Sequence, residues 1–169
     1  MNIDRHSPFL ARLKERVLLT KPGSTKKTFH VVLDLKDSPI VFKPGDSIGV
    51  FPQNDRVLVE RFLGALKVTG EEIVQCPRTK EVLSLKEFLL FKANLSKLVS
   101  SFIKLAQAHY PQENKWLLLQ ENREALLEFC KENDLLDFLE TVFLPFEQVV
   151  PLFSPLLPRF YSVASCLKA

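Results

Sequence analysis

Four consecutive residues near the end of the chain have side chains that could together hold a phosphorylated ligand with a ring: Arg159, Phe160, Tyr161 and Ser162. A guanidinium group donates two parallel hydrogen bonds to a phosphate. Tyrosine offers a flat aromatic face and a hydroxyl, and a serine hydroxyl can donate to a ring nitrogen. By chemistry alone, the set either suits a nucleotide-like cofactor or forms an edge strand with surface Arg and Tyr.

The element that carries these residues is predicted to be a β-strand over 159–164. Three prolines within 151–158 exclude a regular helix just before it. Alternate side chains of a strand point to the same face. We therefore expect Arg159 and Tyr161 to share one face and Ser162 to lie on the other.

The first part of the chain, residues 1–54, has the pattern of short strands. Residues 9–20 partly alternate between apolar and charged, and residues 28–35 are rich in β-branched and aromatic side chains. A short extended run at 40–42 and a further strand at 47–52 follow, with Gly, Pro, Ser and Asp between them. Such spacing predicts a β-barrel or a β-sandwich.

The middle of the chain, residues 55–150, is predicted to be mainly helical. The segment 57–66 has an apolar stripe at helical spacing, and Asp55 is placed to cap it. Ser84 and Glu87 have the spacing of a capping box. Further helical patterns follow at 95–106, 124–131 and 135–143, with Pro111 ending the first and Asp134 capping the last.

The order of these elements indicates an insertion within a β domain. Strands come first, a helical block follows, and an extended segment returns at 151–169. An isolated pair of strands is marginally stable, so we expect the returning strand to pair with the first block. The predicted fold class is therefore α+β, with an all-helical subdomain at 55–150 inserted into a unit that begins with residues 1–54.

Composition excludes several classes of protein. The hydrophobic content of 46% and charged content of 25% are those of a folded globular chain. The net charge is +3 and the longest basic run is Lys26-Lys27, so no nucleic-acid partner is expected. No apolar run approaches the ~20 residues of a membrane span, and the polar start lacks a signal peptide. We expect a cytoplasmic protein.

Other chemically active residues do not form a recognisable catalytic or metal set. His6, His30 and His109 are too far apart in sequence for metal-ligand spacing, and His30 is expected to be a half-buried strand residue. Cys130 and Trp116 are expected to pack in the core. The three cysteines, of which the others are Cys76 and Cys166, are widely spaced, as in reduced cytosolic proteins.

Two segments of the chain resemble the diflavin reductase family, which includes sulfite reductase flavoprotein subunits and the reductases that serve haem monooxygenases. The stretch Pro-Leu-Leu-Pro-Arg-Phe-Tyr-Ser-Val-Ala-Ser at 155–165 is similar to the family's Arg-x-Tyr-Ser flavin motif. The stretch Phe-Lys-Pro-Gly-Asp-Ser-Ile-Gly-Val-Phe-Pro at 42–52 resembles its Tyr-x-Pro-Gly-Asp-x-Leu-Gly-Val-x-Pro segment. Residues 30–35 resemble the preceding strand, and the helical block occupies the place of the connecting subdomain.

The resemblance implies an antiparallel flavin-binding β-barrel, incomplete in this sequence, that holds FAD. It implies that Arg159 binds the FAD pyrophosphate, that Tyr161 stacks on the isoalloxazine ring, and that Ser162 hydrogen-bonds near the hydride-accepting nitrogen. A bend at the strand end, or binding through backbone groups, would bring Ser162 to the same ligand as Tyr161. The segment 44–46 is expected to be a barrel turn.

The implied activity is transfer of electrons from NADPH through FAD to an FMN or metal-centre acceptor. The implied partner is a flavodoxin-like FMN domain or another electron-acceptor protein. The family's second, glycine-containing flavin motif and its NADPH and FMN domains have no counterpart in this sequence, and position 166 is Cys where many relatives differ. We therefore expect a truncated FAD-binding region that is not a competent enzyme alone. The alternatives are a flavin-free remnant or protein-interaction module with the same fold, or an unrelated α+β interaction protein.

Overall fold

The computed structural model describes residues 8–164, apart from the side chains of Asn114 and Leu117. The expectations for His6 and Cys166 lie outside the described residues. The chain divides into two compact units. The strand unit comprises the residues up to Val50 and those from Phe160 onward, and the helical unit comprises Phe51–Arg159.

The secondary structure mixes short strands with short helices, as the predicted α+β class requires. The strands are β1 (Arg12–Leu18), β2 (Phe29–Asp34), β3 (Ser47–Val50), β4 (Ile73–Gln75), β5 (Val82–Ser84) and β6 (Arg159–Ser162). The helices are α1 (Arg56–Leu66), α2 (Leu85–Phe91), α3 (Ser100–His109), α4 (Asn114–Glu121), α5 (Arg123–Glu132), α6 (Leu135–Thr141) and α7 (Phe146–Val149), followed by a 3-10 turn at Val150–Leu152.

Strand pairing within the described residues gives three separate two-stranded sheets and no closed barrel. β1 pairs antiparallel with β2, with a register shift between Leu13 and Glu15. β4 pairs antiparallel with β5, and β3 pairs with β6. The extended run predicted at 40–42 joins no strand, and β6 ends at Ser162 rather than at 164.

The hydrophobic core lies in the helical unit. Every buried apolar side chain of the described residues falls between Val59 and Phe153. Phe153 lies at the centre of an aromatic cluster, because its ring contacts those of Phe62, Phe88 and Phe102 at centroid distances of 6.3, 5.8 and 5.8 Å. In the described part of the strand unit, no side chain is buried.

All three predicted helix caps are confirmed, and the third, the Asp134 carboxylate, accepts from the Asp137 N–H at 2.9 Å at the start of α6. The Asp55 carboxylate accepts hydrogen bonds from the backbone N–H groups of Val57 at 2.8 Å and Leu58 at 3.1 Å. The Ser84 hydroxyl accepts from the Glu87 N–H at 3.2 Å, and the Glu87 carboxylate accepts from the Ser84 N–H at 3.1 Å. These bonds satisfy helix-end donors that have no partner within the helix.

Several sequence expectations were wrong in detail. The stripe at 95–106 is helical only from Ser100, because Leu95 and Leu98 are buried from an irregular segment that precedes α3. Helix α4 was not predicted. His30 is exposed in β2 rather than half-buried, since nothing in the described strand unit covers its face of the hairpin. No helix among the described residues has the length and apolar content to cross a membrane.

The two ends of the helical unit are both held at the C-terminal end of α2. On the entry side, the Asn54 backbone N–H donates to the Leu90 carbonyl at 3.0 Å. On the exit side, the Asn94 N–H donates to the Ser154 carbonyl at 2.8 Å, and the Leu156 N–H donates to the Lys92 carbonyl at 2.7 Å. We call this set of contacts the α2 clasp.

Candidate functional site

The strand that carries the predicted site residues, β6, is aligned by its pairing with β3. Just outside the two strands, the Gly45 N–H donates to the Val163 carbonyl at 2.9 Å, and the Val163 N–H donates to the Asp46 carbonyl at 2.8 Å. The residues before β3 thus lie beside the residue after β6. The two strands therefore run in opposite directions.

The turn that leads into β3 is fixed by its own residues. The Asp46 carboxylate accepts from the Lys43 N–H at 2.8 Å, and the Asp46 N–H donates to the Lys43 carbonyl at 3.0 Å. Gly45 has a φ of 91°, in the region that favours glycine. The segment 44–46 is therefore a tight turn, as the sequence predicts. It leads directly into β3, which pairs with β6.

Side chains of β6 are divided between two faces. A Cβ atom on Gly49 of β3 would lie 3.2 Å from Cε1 of Phe160, so the Phe160 ring lies against the bare backbone of that glycine. Strand alternation then places Ser162 on the Phe160 face and Arg159 and Tyr161 on the opposite face. The structure thus brings the three predicted residues into one strand, with the serine on the other side.

All three side chains are accessible to a ligand. Every residue of β6 is exposed, and 52% of the Tyr161 surface is accessible. Arg159 belongs to none of the ion pairs among the described residues, which instead engage Lys14, Arg61, Lys86, Lys92 and Lys115. The guanidinium and the aromatic ring, on one face of β6, have the chemistry to meet a phosphate and a ring, whereas the Ser162 hydroxyl lies on the other face.

A small concavity of about 260 Å³ adjoins this strand pair within the strand unit. Its walls are mainly apolar, with the Asp46 carboxylate as the charged group, and comprise Ile40, Val41, Phe42, Asp46, Ser47, Ile48 and Val163. Sequence reasoning assigned no ligand role to these residues. A larger concavity of about 550 Å³ in the helical unit is lined in part by Arg61 and Glu140, which form an ion pair, and contains none of the predicted site residues.

The two described cysteines have different environments. Cys130, predicted to pack in the core, is half-buried against its edge, and burial raises the pKa of its thiol above the ordinary value. Burial also acts to raise the pKa of Cys76, but hydrogen bonds from Thr79 and from the Arg78 backbone outweigh it, and the pKa lies below its ordinary value. Trp116 is buried against Phe129 and Phe138, as expected for a core residue.

Comparison with known proteins assigns this arrangement to a family. The chain matches the FAD binding domain family over residues 1–169. It is 35% identical to the sulfite reductase (NADPH) flavoprotein alpha-component of Bacillus subtilis, over 98% of this chain and 28% of that protein. The corresponding proteins of Zymomonas mobilis and Baumannia cicadellinicola are 32% and 30% identical, over 96% and 95% of this chain and 27% of each of those proteins.

The chain thus spans just over a quarter of the length of the relatives it matches. The match includes the segment 42–52 and the whole of β6, where the exposed arginine, tyrosine and serine lie. With its whole length matched, the chain belongs to the FAD binding domain family and resembles the FAD-binding part of sulfite reductase flavoproteins.

Proposed function

We propose that this chain is the FAD-binding part of an NADPH-dependent flavoprotein reductase of the sulfite reductase type. In such a reductase, electrons pass from NADPH through FAD to an FMN or metal-centre acceptor. The observation that carries the proposal is the row of exposed, chemically suited side chains on β6 in a chain whose entire length matches FAD binding domains. The names of the relatives, all NADPH sulfite reductase flavoproteins, support the reductase type.

Each site residue has a distinct proposed role. The Arg159 guanidinium binds the FAD pyrophosphate, because its fork matches two phosphate oxygens. The Tyr161 ring stacks on the isoalloxazine. Ser162, whose side chain lies on the opposite face of β6, hydrogen-bonds near the hydride-accepting nitrogen through a bend at the strand end or through its backbone groups. Bound FAD would supply hydride acceptance and release of single electrons, while the protein positions it and tunes its surroundings.

We extend the same inference to the electron acceptor and to the compartment. The electron acceptor is a flavodoxin-like FMN domain or another electron-acceptor protein, and the compartment is the cytoplasm. The chain corresponds to just over a quarter of the length of its relatives, and we assign NADPH and FMN binding to none of its described residues.

Titration of the purified chain with FAD, followed by flavin fluorescence and absorbance, tests the proposal. Replacing Arg159 with Ala should weaken FAD binding about tenfold to a hundredfold, the usual worth of a hydrogen bond to a charged group. Riboflavin binding should be unaffected, because riboflavin lacks the pyrophosphate. Arg123→Ala removes an equally exposed arginine from α5 and should leave both affinities unchanged.

The proposed stacking residue allows a second test. Tyr161→Ala should weaken binding of both FAD and riboflavin, because both lose the aromatic face, whereas Tyr161→Phe should retain most of the affinity. Equal losses for the two Tyr161 variants would remove stacking from the explanation. A folded wild-type chain that binds no flavin would refute the proposal in favour of a flavin-free remnant or protein-interaction module with the same fold.

A further inference from the structure

The Asn54 side chain is the centre of the α2 clasp. Its amide nitrogen Nδ2 donates to the Leu89 carbonyl at 2.6 Å and to the Ala93 carbonyl at 2.7 Å. Together with its backbone bond to Leu90, Asn54 occupies three carbonyls at or just beyond the end of α2. Carbonyls in the last turn of a helix lack hydrogen-bond donors within the helix. Asn54 alone provides donors for three carbonyls at this end of α2.

The segment just beyond α2 also holds the exit from the helical unit. Residues 92–94 exchange backbone hydrogen bonds with Ser154 and Leu156, and Ala93 forms an isolated β-bridge with Pro155. Asn54 therefore restrains the Ala93 backbone from one side, while the exit segment pairs with the same stretch. Loss of the amide would loosen the stretch with which residues 154–156 pair.

Between the clasp and Arg159 the chain is short and stiff. Proline fixes its own φ at positions 155 and 158, and Ser154 and Leu157, which precede the prolines, are driven toward extended backbone. Only two residues, at 157 and 158, separate Leu156 from Arg159, and the three steps from one Cα to the other reach roughly 10 Å at most. A shift at Leu156 is therefore transmitted to Arg159 instead of being absorbed by a flexible loop.

We propose that Asn54 is a positioning residue for the phosphate-binding guanidinium of Arg159, acting through the α2 clasp and the 154–158 segment. The inference rests on the proposed function, because it assigns Arg159 to the FAD pyrophosphate. Asn54 itself touches no ligand. Its effect is to hold the Arg159 backbone at a fixed place within the helical unit, so that binding the phosphate does not require the arginine to be ordered first.

A double-mutant cycle on FAD affinity tests the coupling. Asn54→Ala should weaken FAD binding about tenfold in the wild-type background and by less than about twofold when Arg159 is already Ala, since residues that act through one another are not additive. Riboflavin affinity should not change with Asn54→Ala. Equal losses of FAD affinity in both backgrounds, equal losses for FAD and riboflavin, or no loss at all would overturn the proposal.

A matched control separates positioning from general stability. The Asn133 amide donates to the Phe129 carbonyl at 3.0 Å at the end of α5, the same kind of helix-end bond away from the exit segment. Asn133→Ala should leave FAD affinity unchanged. If Asn54→Ala does not fold, Pro158→Gly loosens the stiff segment without removing any hydrogen bond and should give the same selective loss for FAD; unchanged affinity would refute the mechanism.

Amide hydrogen exchange provides a readout that needs no flavin. In Asn54→Ala, the Leu156 and Asn94 amides should exchange faster than in Asn133→Ala, because the clasp bonds that protect them are weakened. Equal exchange in the two variants would refute the clasp whatever the flavin result. If the unchanged chain binds no FAD although the exchange difference is present, the proposed function is refuted. The role of Asn54 in positioning a phosphate-binding group is then refuted as well, and only its structural role in the α2 clasp is supported.

Discussion

Replacing Phe153 with Ala should be among the most damaging single changes to the helical unit. The side chain is 7% exposed, and its ring meets those of Phe62, Phe88 and Phe102. Truncation removes one partner from three aromatic pairs and leaves a cavity between α1, α2 and α3. Core Phe-to-Ala changes cost about 3–5 kcal/mol of unfolding free energy, and we expect this one to fall in that range.

Urea unfolding at 25 °C, followed by the fluorescence of the buried Trp116, measures this loss. Phe143→Ala is the matched control, because that side chain is 47% exposed and should cost less than about 1 kcal/mol. If Phe153→Ala does not fold, Phe153→Leu should still cost about 1–2 kcal/mol, since it removes the ring but keeps much of the volume. A Phe153→Ala loss no larger than that of the control would show that the aromatic cluster does not hold the helical unit together.

Two further predictions concern the loop between α1 and β4. Gly70→Ala should destabilise the protein by more than about 1 kcal/mol in urea unfolding, because Gly70 has a φ of 95° and a Cβ there would lie 2.9 Å from Leu63 Cδ1. The control Gly64→Ala, in open space on α1, should instead stabilise the protein. A Gly70→Ala variant that is more stable than the unchanged protein would contradict the geometry. The pKa of the Glu72 carboxyl lies below its ordinary value of 4.5, mainly because the carboxylate accepts a hydrogen bond from the Thr69 backbone N–H at 2.9 Å. Glu72→Gln should therefore lower stability above that pH, with the difference disappearing as the pH falls through the lower pKa of the folded state; a difference that does not vary with pH would argue against the carboxylate.

Local features of the fold were predictable from the sequence because their causes are local. Asp55 and Ser84 could be identified as caps since the residue that accepts and the N–H groups that donate lie within three positions of each other. The turn at 44–46 was equally clear, because proline and glycine restrict the backbone by themselves. The strand at Arg159 could be predicted from its own residue types and from the prolines that exclude a helix before it, although it ends at Ser162, two residues earlier than predicted.

Features that depend on distant residues could not be predicted. The Asn54 amide donates hydrogen bonds to carbonyls 35 and 39 positions away. No residue spacing in the sequence predicts hydrogen bonds over such separations. Leu95 and Leu98 fit a helical stripe but are buried from an irregular segment, because burial alone does not require a helix. The accessibility of His30 likewise depends on what covers its hairpin, which is a property of tertiary packing.

The α2 clasp has a consequence for the thermodynamic cost of carrying an insertion. A flexible excursion of about 100 residues between two strands would impose a closure entropy that grows with the logarithm of its length. Because the helical unit ties Asn54 and Ser154–Leu156 to the same helix end as it folds, the surrounding chain has only two short connections left to close. Relative to an open loop of the same length, this arrangement lowers the entropic cost of closing the chain between β3 and β6 by about 3 kcal/mol. Folding of the helical unit thereby makes the pairing of these two strands more favourable by that amount.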